Sequence, residues 1–124
     1  MVENFEDETI DLNDEEKKLA EIVLNRFKIC YLSEDNCIKQ DEIIKRMREK
    51  NFRITGPRLR KIFNYLRSKG HPLIATSKGC WYSTKASEIE SQIRSLKDRR
   101  RALEGPINGL TNMLISIKQQ SANV

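Results

Sequence analysis

The chain has no apolar run approaching the ~18 residues that a membrane-spanning helix needs, so we expect no contact with a membrane. Its N-terminal segment is acidic and lacks the basic start and apolar stretch of a secretory signal. These two absences lead us to expect a cytoplasmic protein, located in a nucleoid or in a host cytoplasm.

Cysteine and histidine are also scarce. Cys30, Cys37 and Cys80 form no CxxC motif and His71 is the single histidine, which argues against a disulfide framework or a metal site. Neither a nucleophile at motif spacing from His71 nor a Walker-type glycine loop is present. We therefore expect a non-enzyme that carries no cofactor and no metal.

Charge is abundant and divided unevenly along the chain. Residues 1–16 carry eight acidic side chains and no basic one, whereas all 23 basic side chains lie among the remaining residues with ten acidic ones. A basic body suggests a polyanionic partner. The acidic leader is interpreted as a solvated segment, as an internal competitor for that partner, or as a contact for a protein.

Three helices are predicted in the first two thirds of the chain. The first begins at Asn13, a suitable cap, and the second covers about residues 40–50. The third has Thr55 as its cap, Pro57 in its first turn and Gly70 after its end. Apolar residues of this third helix at i, i+3, i+4 and i+7 face a core, namely Leu59, Ile62, Phe63 and Leu66.

Two short β-prone runs follow, residues 73–75 and 80–82, joined by a turn that contains Gly79. They predict a β-hairpin in which Trp81 packs against protein rather than against a base. Three helices followed by a hairpin is the element order of a winged helix. The predicted fold class is thus mainly α with a small β-hairpin, a winged helix-turn-helix followed by a long C-terminal helix.

A heptad pattern marks the C-terminal segment from about Lys85. Its nine seam positions are Ile89, Ile93, Leu96, Arg100, Leu103, Ile107, Leu110, Leu114 and Ile117, and all but Arg100 are apolar. The heptad phase continues across Gly105-Pro106, so we predict a kink there. The chain is accordingly divided into an acidic flexible leader (1–12), a winged helix-turn-helix domain (13–84) and a C-terminal coiled-coil dimerisation segment (85–124).

Residues 37–83 resemble the DNA-binding domain of the biotin repressor and related winged-helix regulators. The resemblance rests on the second helix, on the basic third helix that runs from Thr55 to Gly70 and ends in LR-x-x-G, and on a hairpin that carries Lys78-Gly79 followed by Trp81. Small phage and prophage winged-helix proteins with a trailing helix are similar too. The connection at residues 51–54 is longer than in the repressor family, and the wing is shorter. The resemblance implies binding to double-stranded DNA.

Helical projection places Lys61 and Asn64 opposite the apolar stripe of the third helix, where they would read bases in the major groove. Ten basic residues and a single acid, Glu49, lie between Lys45 and Lys69, which is denser than an ordinary mixed surface. The predicted DNA-binding residues are Thr55, Arg58, Arg60, Lys61, Asn64, Arg67 and Lys78, with Thr55 on a phosphate and Lys78 on a phosphate or in the minor groove.

The C-terminal seam either folds back on its own domain or joins two chains, and its length favours a homodimer with half-sites one helical turn apart. The predicted dimerisation residues are Ile93, Leu96, Leu103, Ile107, Leu110, Leu114 and Ile117. Three functions stay open: a sequence-specific transcription regulator, a phage replication or architectural factor with little sequence preference, and a winged-helix protein-interaction module.

Overall fold

The computed structural model describes residues 12–122 of the chain, and the predicted acidic leader lies outside this range except for Leu12. The helices are α1 (Asp14–Cys30), α2 (Gln40–Glu49), α3 (Gly56–Ser68), α4 (Ala86–Ala102) and α5 (Glu104–Ala122). The strands are β1 (Leu73–Thr76) and β2 (Gly79–Tyr82), and a 3-10 turn covers Glu34–Asn36. The predicted fold class, mainly α with a small β-hairpin and a long C-terminal helix, is confirmed.

Side chains at the helix starts fix where α1 and α3 begin. The Asn13 side chain accepts a hydrogen bond from the Glu16 backbone N–H (2.8 Å), and the Glu16 carboxylate accepts one from the Asn13 backbone N–H (3.1 Å). This reciprocal pair is a capping box. At α3, the Thr55 hydroxyl accepts from the backbone N–H of Arg58 (3.3 Å). Both predicted caps are confirmed, because each side chain satisfies a backbone donor that has no partner within its helix.

The core is formed where α1, α2 and α3 pack together under one face of the hairpin. Phe27 of α1 meets Phe63 of α3 edge to face, with ring centroids 5.6 Å apart. The predicted stripe of α3 is buried in full, with Leu59 and Ile62 at 1% exposure or less. Leu12 is also buried in this core, so its assignment to a flexible leader is wrong.

The hairpin is antiparallel and pairs Leu73 with Tyr82 and Thr76 with Gly79 across a two-residue turn. Residue Ile38, between α1 and α2, adds a short bridge to Cys80 through two backbone hydrogen bonds of 3.0 and 2.7 Å. Gly79 is required here, since its φ is +147° and a Cβ would lie 2.7 Å from the Cys37 sulfur. The bridge therefore ties the hairpin to the segment that precedes α2.

Trp81 is buried, as predicted, on the hairpin face opposite Cys80. Its indole N–H donates to the Glu88 carboxylate (3.2 Å), which also accepts from the Ser83 hydroxyl (2.6 Å). These two donors, Ser83 first, lower the pKa of Glu88 because they favour its ionised form. Glu88 thus joins the hairpin to the first turn of α4.

The C-terminal helix is bent, as predicted, with the interruption at Leu103 between α4 and α5. Pro106 lies in the first turn of α5. A backbone N–H at this position would have no acceptor within α5, so the proline costs the helix no hydrogen bond. The first of two compact units ends at Ile89 and the second begins at Glu90, whereas the predicted domain boundary falls at residues 84 and 85. Among the described residues, none of the helices has the length and apolar character needed to cross a membrane.

A buried ion pair joins α1 to α3. The Lys61 ammonium donates to the Glu16 carboxylate at 3.1 Å, and both side chains are about 95% buried, with 4% and 5% of their surface exposed. The same Glu16 oxygen accepts the capping hydrogen bond from Asn13. One carboxylate therefore fixes the start of α1 and its position against α3.

Replacing Lys61 should leave the Glu16 carboxylate buried without its counter-charge. We expect Lys61→Met to reduce the free energy of unfolding by about 3–5 kcal/mol, and Lys61→Met combined with Glu16→Gln to recover most of that loss. Urea denaturation of the three proteins measures both effects. Equal stability of the single and double variants would contradict a paired, buried charge.

The lowered pKa of Glu88 makes a contribution to stability that depends on pH. Because the folded pKa lies below the unfolded value of ~4.5, this contribution is present above pH ~4.5 and is lost as the pH falls through the folded pKa. We expect Glu88→Gln to be less stable than the native chain at pH 7 and to lose less stability between pH 5 and 3. Parallel stability curves for the two proteins would contradict this assignment.

Candidate nucleic-acid interface

The solvent-facing side of α3 is formed by Arg60, Asn64 and Ser68, which recur every fourth residue and are exposed. We call these three residues the α3 outer face. The Ser68 hydroxyl donates to the backbone carbonyl of Asn64 (2.8 Å). A guanidinium and an amide one turn apart offer the groups that read guanine and adenine edges in a major groove.

Lys61 does not belong to this face, and the prediction that it points to solvent is wrong. It is 6% exposed and pairs with Glu16 of α1. The projection located only the apolar stripe, whereas α1 also packs against α3 where it carries Lys61. An acid on the opposing helix made this burial possible, and only the tertiary contact reveals it.

Arg67 lies partly against protein. Its Nε donates to the Leu73 carbonyl of β1 (2.9 Å), its Nη1 donates to the Asn64 side-chain oxygen (3.3 Å), and its guanidinium lies 5.7 Å from the Phe63 ring centre. Arg67, predicted to contact DNA, therefore connects α3 to the hairpin in this structure. Through its hydrogen bond, Arg67 also orients Asn64.

A basic depression of about 670 Å³ lies beside the start of α3. It is lined by Arg48, Arg53 and Arg58, together with Thr55 and the turn between α2 and α3. Asn51 has a φ of +64°, a left-handed conformation that reverses the chain after α2. Arg48, before this reversal, and Arg53, after it, therefore line the same depression. Thr55 and Arg58 are predicted from sequence. Arg48 and Arg53 were missed as site residues, although both belong to the densely basic stretch between Lys45 and Lys69.

Three guanidinium groups near the amino end of a helix form a positive surface that suits a phosphate group. Arg58, which lines this depression, belongs to the same helix as the α3 outer face, whereas Arg48 lies on α2 and Arg53 in the turn between them. The two features together combine side chains for base edges with side chains for the phosphate backbone.

Lys78 stands in the two-residue turn of the hairpin and is exposed, as predicted for the tip of a wing. Its ammonium is paired with the carboxylate of Glu34, which raises the pKa of Lys78 through the hydrogen bond and the opposite charge. A phosphate would have to compete with Glu34 for this ammonium. The turn of the hairpin is therefore a weaker candidate contact than α3.

The predicted dimerisation residues of the second unit leave much of their apolar surface exposed. Those on α5 and at the bend are between 51% and 73% exposed: Leu103, Ile107, Leu110, Leu114 and Ile117. On α4, Ile93 is 46% exposed and Leu96 is half-buried. Within the described part of the chain, no group of three His, Cys, Asp or Glu side chains is arranged to hold a metal ion.

The chain was compared with models of protein families, with curated proteins and with solved structures. None of the three comparisons finds a match. The functional interpretation consequently rests on the geometry and charge described above.

Proposed function

We propose that the protein is a non-enzymatic factor that binds double-stranded DNA with α3 in the major groove, and that it acts as a homodimer joined through its C-terminal helix. The observation that carries this proposal is the α3 outer face, an exposed Arg60 and Asn64 on a helix whose apolar stripe is packed in the core. A helix held rigidly on a core and exposed along one side fits the width of the groove.

The basic depression supports the same proposal. Arg48, Arg53 and Arg58 surround the start of α3, and each can neutralise a phosphate of the DNA backbone. Such contacts position the protein on the duplex, while Arg60 and Asn64 supply the preference for sequence. Transcription regulation is the role that a sequence-specific homodimer of this kind would serve.

A second function, a phage replication or architectural factor with little sequence preference, is favoured by one observation. Lys61 is buried and Arg67 is bonded to β1, which leaves fewer side chains of α3 to read bases. Selection from random duplexes separates the two functions. An enriched motif supports the regulator, and strong binding without any motif supports the second function.

Removing the two base-reading side chains should reduce binding to the selected site. We expect Arg60→Ala with Asn64→Ala to weaken specific binding by roughly 30-fold or more, since each paired base contact contributes ~1–3 kcal/mol. A matched control exists in Asn25→Ala with Arg26→Ala, which removes the same two residue types from an exposed position on α1. Fluorescence anisotropy with the selected duplex and a scrambled one measures the effect. Equal losses in the two double variants would contradict the assignment of α3.

The arginines of the depression should act through charge alone. We expect Arg48→Ala with Arg53→Ala to weaken binding to selected and scrambled duplexes equally. The slope of log K against log salt should also become shallower, by about 0.9 for each phosphate that is no longer neutralised. Measuring the binding constant across a series of salt concentrations gives this slope. A slope unchanged from that of the native chain would place the phosphates elsewhere.

A further inference from the structure

Helix α5 exposes an apolar stripe and carries almost no charge. The stripe follows a three- and four-residue spacing through Ile107, Leu110, Leu114 and Ile117, all at least half exposed. Of its 19 residues, Glu104 and Lys118 alone are charged. Soluble monomers rarely leave such a contiguous apolar surface exposed, so the stripe is a candidate surface for binding another helix.

The two charges of α5 have opposite signs and are related by position. They lie fourteen residues apart, which is two heptads, so both stand on the same flank of the stripe. Within residues 12–122, neither of them has an oppositely charged partner within ion-pair distance. A second helix that placed a lysine beside Glu104 and a glutamate beside Lys118 would match both charges, and α5 itself is such a helix when its direction is reversed.

A parallel pair of these helices has no such match. In a parallel, in-register pair, Glu104 and Lys118 of the two copies lie ~21 Å apart along the axis at 1.5 Å per residue. If the seam continued into α4, Arg100 of one copy would also face Arg100 of the other in an apolar environment, which is costly. The parallel arrangement therefore gains nothing from Glu104 and Lys118, and a seam that included Arg100 would be disfavoured.

An antiparallel pair satisfies the same constraints. Packing Ile107 against Ile117 of the second copy also places Leu110 against Leu114, so the stripe covers itself. In this register Glu104 and Lys118 of the two copies lie ~3 Å apart along the axis, and the contact occurs twice because the pair is symmetric. The two Arg100 side chains then lie at opposite ends of the pair and do not meet.

We infer that α5 binds α5 of a second copy of this chain in antiparallel orientation, with Glu104 of each copy paired with Lys118 of the other. This inference rests on the proposed homodimer and specifies its seam. It confines the seam to the bend and α5, and it removes Ile93 and Leu96 of α4 from the dimerisation set. The run Arg99, Arg100 and Arg101 at the end of α4 stays outside the apolar contact.

Charge reversal in the full chain tests the pairing. Glu104→Lys alone and Lys118→Glu alone should each weaken self-association roughly tenfold, because each replaces two attractive contacts with two repulsive ones. Mixing these two variants should give mixed dimers in large excess over either parent, since every contact in the mixed dimer is attractive. The double variant Glu104→Lys with Lys118→Glu should self-associate like the native chain.

Sedimentation equilibrium measures the dissociation constants, and a tag on one variant measures the mixed species after exchange. Lys97→Glu is the matched control. It reverses an exposed charge at the same heptad position on α4 and should leave the dissociation constant of the dimer unchanged. A dimer with no preference for mixing overturns the antiparallel pairing and leaves the proposed homodimer in place. A native chain that is monomeric at about 100 μM, or that forms a trimer, overturns both the pairing and the proposed homodimer. Binding of the native chain to duplex DNA, measured separately, then tests the other part of the proposed function.

Discussion

The contact between α1 and α3 determines which side of α3 meets solvent. Glu16 closes the capping box of α1 and pairs with Lys61, so the start of one helix and the middle of another are fixed by a single carboxylate. A buried carboxylate and ammonium are tolerated only when each satisfies the other, which makes this orientation specific. The exposed face that results carries Arg60 and Asn64, and the proposed recognition of DNA depends on that choice of face.

Charged side chains are distributed unevenly over the molecule. Arginines collect around the turn between α2 and α3 and again at the end of α4, whereas α5 has two charges in 19 residues. Surfaces with many like charges repel one another and attract polyanions, and surfaces with few charges associate through apolar contact. This distribution supports the two proposals, that the start of α3 binds a phosphate backbone and that α5 binds a second copy of the chain.

Much of the fold could be predicted from the sequence because its signals are local. Asn13, Thr55 and Gly70 mark helix ends through short-range hydrogen bonds and backbone conformation, and the alternation around Trp81 marks the hairpin. The site could be predicted only in part. Lys61 was misassigned because its burial depends on Glu16, 45 residues away, and the pairing of Lys78 with Glu34 spans a similar separation. The depression was missed because the left-handed conformation of Asn51 brings Arg48 and Arg53 together.

In the proposed complex, DNA contacts the protein along α3. The most direct measurement is a titration of the ¹⁵N-labelled chain with a duplex of about fifteen base pairs, followed by backbone and side-chain amide shifts. We expect the largest changes at Asn64, Arg60 and the backbone from Arg53 to Arg58, with little change at Asn25 and Arg26 on α1. Changes concentrated on α1, with Asn64 unaffected at saturation, would contradict this expectation.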